Sequence, residues 1–126
     1  MSFYAASSAR DTDWIVRLTE VDAAGRSVQR SYGVLRAKFR SGFDHADLLT
    51  PGKPELYTIR LGQFAARFAR GHSLRVHITS SATNLIIPNF NTGLPLKDEI
   101  EPVVAKQQIL FGGKYPSKIT FSSKKL

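Results

Sequence analysis

Apolar and polar residues alternate with a period of two along most of the chain, the pattern of strands with one buried face. Trp14, Val16 and Leu18 alternate with Ile15, Arg17 and Thr19, and Leu35, Ala37 and Phe39 with Arg36, Lys38 and Arg40. Tyr57, Ile59 and Leu61 alternate with Leu56, Thr58 and Arg60; Leu74, Val76 and Ile78 alternate with Arg75, His77 and Thr79. Ile109 with Phe111, and Ile119 with Phe121, give two shorter cases. Each set predicts apolar side chains on one face and polar or basic ones on the other.

Turn chemistry separates these runs. Asp22-Ala23-Ala24-Gly25-Arg26 predicts a hairpin loop. Thr50-Pro51-Gly52-Lys53-Pro54 is a break, and Gly112-Gly113 with Tyr115-Pro116 divide the last two strands. Residues 43–49 suit a short helical turn capped by Asp44, whereas residues 63–68 are ambiguous, with Ala and Arg content that suits a helix but only about six residues to form it. Segment 85–106, from Leu85 to Lys106, is the least periodic and reads as a long connection between sheets, of the kind that often carries function. Six or more short strands between Gly- and Pro-rich turns predict an all-β sandwich or barrel, a single domain over residues 1–126.

Composition narrows the reading. A chain of 126 residues is long enough for one core. It has no cysteine, which excludes disulfides, thiolate nucleophiles and Cys-based zinc sites. No apolar run approaches the roughly 20 residues that span a bilayer. The start, Met1-Ser2-Phe3-Tyr4-Ala5-Ala6, has no signal-peptide character, so a cytoplasmic location and no membrane partner are expected. The formal charge is +8, and half of the excess lies in Lys114, Lys118, Lys124 and Lys125. Residues 122–126 read as a basic tail. The other basic residues are spread along strands, so solvated faces account for them and nucleic acid is not the expected partner.

Candidate chemistry is sparse. Gly71-His72-Ser73-Leu74-Arg75 begins like a nucleophile elbow, but Arg75 stands where the second glycine is needed, and a strand follows instead of a helix. No catalytic residue is assigned. His72 and His77 lie five apart on an alternating strand and point to opposite faces, so no metal site is expected with His45, and no cofactor either. Asp11-Thr12-Asp13 could serve acid–base work. A pairing of Asp11 or Asp13 with an arginine such as Arg36, fixing the loop before Trp14, fits better. Asn84, Asn89 and Asn91 with Thr92-Gly93 are turn chemistry. Arg36, Lys38, Arg40, Arg60 and Arg75 are the candidates for a basic binding surface, with Tyr4, Tyr32, Tyr57 and Phe90 as stacking groups.

Five pieces occur in order: Asp11-Thr12-Asp13-Trp14-Ile15-Val16-Arg17-Leu18, Gly33-Val34-Leu35-Arg36-Ala37-Lys38-Phe39-Arg40, Arg70 through Ser81, Asn89-Phe90-Asn91-Thr92-Gly93 and Pro116-Ser117. Together they resemble the C-terminal domain of the X-Pro dipeptidyl-peptidase, cocaine esterase and α-amino acid ester hydrolase family, over about residues 3 to 121. The resemblance implies a jelly-roll β-sandwich of the galactose-binding-like type. It also implies a preceding α/β-hydrolase domain that holds the Ser-Asp-His triad, on which the jelly roll packs while walling the substrate cleft. None of the triad carries over to this chain. Asp11, Asp13, Trp14, Arg36, Gly71, Asn89, Asn91 and Gly93 are the structural signature.

Against the family pattern, further strands before the Tyr4 region are missing. The aromatic-Pro step after Ser80-Ser81 is replaced by Ala82 through Pro88, and the ending is polar. An open sandwich exposes an edge strand or core surface, so self-association or a partner is expected. The expected function is a non-catalytic accessory domain of a serine hydrolase, inactive alone. The alternative is a free-standing binding module for carbohydrate or nucleic acid.

Overall fold

The structure, a computed structural model, describes residues 1–120. Its strands are β1 Ser2–Ser7, β2 Asp13–Val21, β3 Ser27–Arg36, β4 Glu55–Thr58, β5 Ser73–Thr79 and β6 Gln107–Leu110. They pair into two antiparallel sheets, ordered β4-β1-β6 and β3-β2-β5. The architecture is a β-sandwich. The expected basic tail 122–126 and the strand partner Phe121 lie outside the described residues.

Three rings tie the sheets together. Phe3 of β1 and Tyr57 of β4 meet Trp14 of β2: Phe3 lies 5.7 Å from each of the other two, and Trp14 and Tyr57 are 5.4 Å apart. Phe3 presents its edge to Trp14 at 87°, the arrangement that ring quadrupoles favour. Ala5, Val16, Ala37, Leu49 and Ile59 complete this core. Burying each such large side chain stabilises by roughly 1.5–3 kcal/mol. Burial also pushes the Tyr57 hydroxyl above the usual tyrosine pKa.

The β2–β3 hairpin forms where the turn residues predict it. Asp22 Oδ1 accepts from the backbone N–H of Ala24 and of Arg26, both at 2.9 Å, and its second oxygen pairs with Arg26. Beyond β4 the chain runs against β3: the Gly62 N–H donates to the Tyr32 carbonyl at 3.0 Å, and Ser31 Oγ donates to the Gly62 carbonyl at 2.6 Å. The approach leaves no room for a side chain at residue 33. A Cβ on Gly33 would sit against the Arg60 carbonyl and 2.7 Å from Ile59 Cγ2.

Four expectations need correction. The alternation at 35–40 is not one strand: β3 ends at Arg36, and Ala37–Phe39 is a 3-10 turn. The Ala37 N–H is drawn to the Thr12 carbonyl and the Lys38 N–H to Asp11 Oδ1, which bends the chain and buries Lys38. Residues 43–49 form no helical turn. Ile15 is fully buried although it alternates with core residues, because it lies between Val34 and Thr79 on the face crossed by segment 85–106. Leu74 and Val76 stay 42% and 36% exposed, because β5 is an edge strand with only β2 beside it.

Segment 85–106 leaves β5 in one sheet and reaches β6 in the other. On its way it lays Ile86, Ile87 and Leu96 opposite Asp13, Val34 and Arg36, around a shallow cavity of about 270 Å³.

A buried polar clasp as candidate functional site

The densest cluster of charged groups lies where the loop before β2, the turn after β3 and segment 85–106 meet. Asp11, Thr12 and Asp13 are all buried there. Asp11 Oδ1 accepts the Lys38 N–H at 2.9 Å; Oδ2 accepts from Asn89 Nδ2 at 3.1 Å and faces Lys38 Nζ at 3.6 Å. Asp13 Oδ1 accepts from Arg36 Nε at 2.9 Å and from Asn89 Nδ2 at 3.0 Å; Oδ2 accepts from Arg36 Nη2 at 3.3 Å. The single Asn89 amide therefore bridges both carboxylates. Two anions meet two cations, which is the condition for holding charges away from water. The Asp13 carboxylate, through its hydrogen bonds, holds the Arg36 guanidinium protonated above its ordinary range.

The loop side of the clasp is built from Asx chemistry. Asn89 Oδ1 accepts the Asn91 N–H at 2.8 Å, and Asn91 adopts a left-handed φ of 64°. Asn91 Nδ2 then donates to the Val103 carbonyl at 2.8 Å, and the Val103 N–H donates to the Phe90 carbonyl at the same distance. Gly93 takes φ 83° packed against Leu48, a conformation that would strain any L side chain. Lys38 Nζ closes the circuit by donating to the Leu94 carbonyl at 3.1 Å. Thr92 Oγ1 donates to Glu99 Oε1 at 2.7 Å.

This arrangement fixes a loop; it does not free a base. Every Asp11 and Asp13 oxygen already accepts a hydrogen bond, so neither carboxylate is placed to take a substrate proton. The clasp unites Asp11, Asp13, Arg36, Asn89, Asn91 and Gly93. Trp14 sits in the core beside it, and Gly71 lies apart in the turn before β5, with φ 85°.

The basic set does not form one surface. Arg36 and Lys38 belong to the clasp, and Arg40 is turned inward with Nη2 2.8 Å from Asp47 Oδ2. Only Arg60 and Arg75 of that set are exposed. The reason is long-range charge pairing: each inward cation has an acid brought to it by another part of the chain.

A second ionic cluster lies at the other end of β2, and strand periodicity gives no sign of it. Glu20 Oε2 accepts from Arg30 Nη2 at 2.6 Å and Nε at 2.9 Å, and Glu20 Oε1 lies 2.5 Å from His72 Nδ1. The Arg30 hydrogen bonds, and then that of His72, hold Glu20 below the usual carboxylate range. His45 pairs with exposed Asp44, and His77 Nε2 lies 3.4 Å from Thr19 Oγ1, so the three histidines go to different places. Among the described residues, no three His, Asp or Glu side chains gather to hold a metal. Ser73 is exposed at the start of β5, and among the described residues no histidine contacts its hydroxyl. The Asp11-Thr12-Asp13 run and the Asn-x-Asn-x-Gly run are the sequence signals that mark the clasp. Inward-turned Lys38 and the Glu20–His72 contact have none.

Residues 2–120 match the family described as the X-Pro dipeptidyl-peptidase C-terminal non-catalytic domain. The chain is 29% identical over 120 residues to the cocaine esterase of Rhodococcus sp. (strain MB1 Bresler), covering 92% of this chain and 21% of that protein. The crystal structure of an aminopeptidase from a marine sediment archaeon, Thaumarchaeota archaeon, superposes with a TM-score of 0.79 at 27% identity, over 86% of this chain and 20% of that one. The chain thus spans about a fifth of the length of these relatives.

Proposed function

The chain belongs to the family of X-Pro dipeptidyl-peptidase C-terminal non-catalytic domains, and from that premise we propose that it is the accessory β-sandwich of a serine hydrolase, packing on an α/β-hydrolase domain and shaping the mouth of its substrate cleft. The observation that supports this reading is segment 85–106. Its backbone is held to the sandwich through Asn89 and Lys38 and to itself through Asn91, yet several of its aliphatic side chains stay in water: Ile87, Ile100 and Val104 are 66%, 87% and 88% exposed. A rigidly held loop that presents large aliphatic groups to water is suited to meet another surface. Relatives about five times longer supply the setting for such a surface.

The test has two arms. The isolated chain should turn over neither p-nitrophenyl esters nor X-Pro-aminocoumarin substrates; turnover removed by Ser73→Ala would overturn the non-catalytic role. A chimera in which this chain replaces the matching fifth of the archaeal aminopeptidase should fold and stay active. Ile100→Asp with Val104→Asp should then lower its melting temperature and raise KM. An unchanged chimera would remove the segment from the interface.

A further inference from the structure

The longest free strand edge among the described residues is β5, and its two faces differ in chemistry. β5 pairs with β2 on one side only. On the core-facing side it carries Leu74, Val76 and Ile78, of which Leu74 and Val76 are about two-fifths exposed. On the outward side it carries Arg75 and His77, and the register sets Arg17 of β2 directly beside His77. Arg17 Nε is buried with no hydrogen-bond partner among the described residues, and neither Arg17 nor Arg75 meets a carboxylate there. The other edges differ: β4 and β6 have four residues each, and β3 already faces the chain at Gly62.

We propose that the β5 edge docks an extended strand of another polypeptide in which acidic residues alternate with apolar ones. A strand added antiparallel to β5 satisfies the outward-pointing backbone groups of Ser73–Thr79. Its side chains alternate in phase with those of β5. One set covers Leu74 and Val76, and the other sets carboxylates opposite Arg75 and His77, on the face that also carries Arg17 one strand further in. A second copy of β5 does not fit. Antiparallel self-pairing about Val76 sets Arg75 against His77 and leaves the same basic groups unpaired. Nucleic acid would use the basic face but has no use for the apolar one.

The experiment uses the whole 126-residue chain and a fluorescent peptide of four Glu-Val repeats, with four Lys-Val repeats as control. Fluorescence anisotropy should show binding of the Glu-Val peptide alone. Hydrogen exchange should show new protection at alternate amides of residues 73–79. Arg75→Glu, on an exposed strand position, should weaken the Glu-Val peptide about tenfold, by loss of one cross-strand pair and gain of a like-charge contact, and should confer binding of the Lys-Val peptide. Arg60→Glu should change neither. The proposal is overturned if the Glu-Val peptide does not bind, if both peptides bind the native chain equally, or if Arg75→Glu leaves the preference unchanged. Protection of the same amides by a single-stranded oligonucleotide, with displacement of the peptide, would also overturn it.

Discussion

The two ends of β2 each bury a carboxylate against cations but differ in what surrounds the pair. At the Asp13 end, acids and bases are buried together under a long connection, and even the outward-facing Ile15 is closed off from water. At the Glu20 end, one carboxylate meets Arg30 and His72 on a sheet whose neighbours Val28, Leu74 and Val76 stay partly exposed. What separates them is the covering layer. Where another segment lies over the sheet, the Lys38 cation is closed off with the acids; where none does, Glu20 is just as buried, but its partners Arg30 and His72 keep contact with water.

That contrast can be broken by substitution. Asp11→Ala should have the largest effect, about 3 kcal/mol or more, because it leaves the Lys38 ammonium and the Lys38 and Asn89 N–H donors without their buried acceptor. Urea unfolding monitored by Trp14 fluorescence reads it. Gly33→Ala should follow at about 2 kcal/mol, because the chain at Ile59 and Arg60 must shift to admit a methyl group. A loss under 0.5 kcal/mol would show that this crossing is loose.

Glu20→Gln should cost less than Asp11→Ala, and its signature is pH dependence. The folded-state pKa of Glu20 is depressed, first by its hydrogen bonds to Arg30 and then by that to His72. Its contribution is therefore present above the ordinary glutamate value, about 4.3, and is lost as pH falls through the depressed folded value. Melting temperatures of the native chain should drop more steeply in that acid range than those of Glu20→Gln. Parallel acid limbs would mean the cluster adds nothing. Smallest of all, Val76→Thr on the open edge should change stability by no more than about 0.5 kcal/mol. A loss as large as that of Gly33→Ala would mean that β5 is covered like the Asp13 end.

Much of the sandwich is legible in the chain. The alternating runs place β2, β4 and β5, and Asp22 through Arg26 places the hairpin. The inward turn of Lys38 is not legible, because nothing local distinguishes it from Arg36 or Arg40 on an alternating run. Its carboxylate arrives from 27 residues away and its carbonyl acceptor at Leu94 from 56 residues away. The clasp was half visible: Asp11-Thr12-Asp13 and Asn89-Phe90-Asn91 are each conspicuous, but only the fold shows that one Asn89 amide joins both acids.

The sequence alone determined the strand period, the turns and the family likeness, because each is written in neighbouring residues through backbone geometry and the apolar side of a strand. The tertiary structure alone decided which faces are covered, which cations are structural and which edge stays free. Those outcomes depend on segments far apart in the chain competing with water for the same surface. Local periodicity carries no record of that competition.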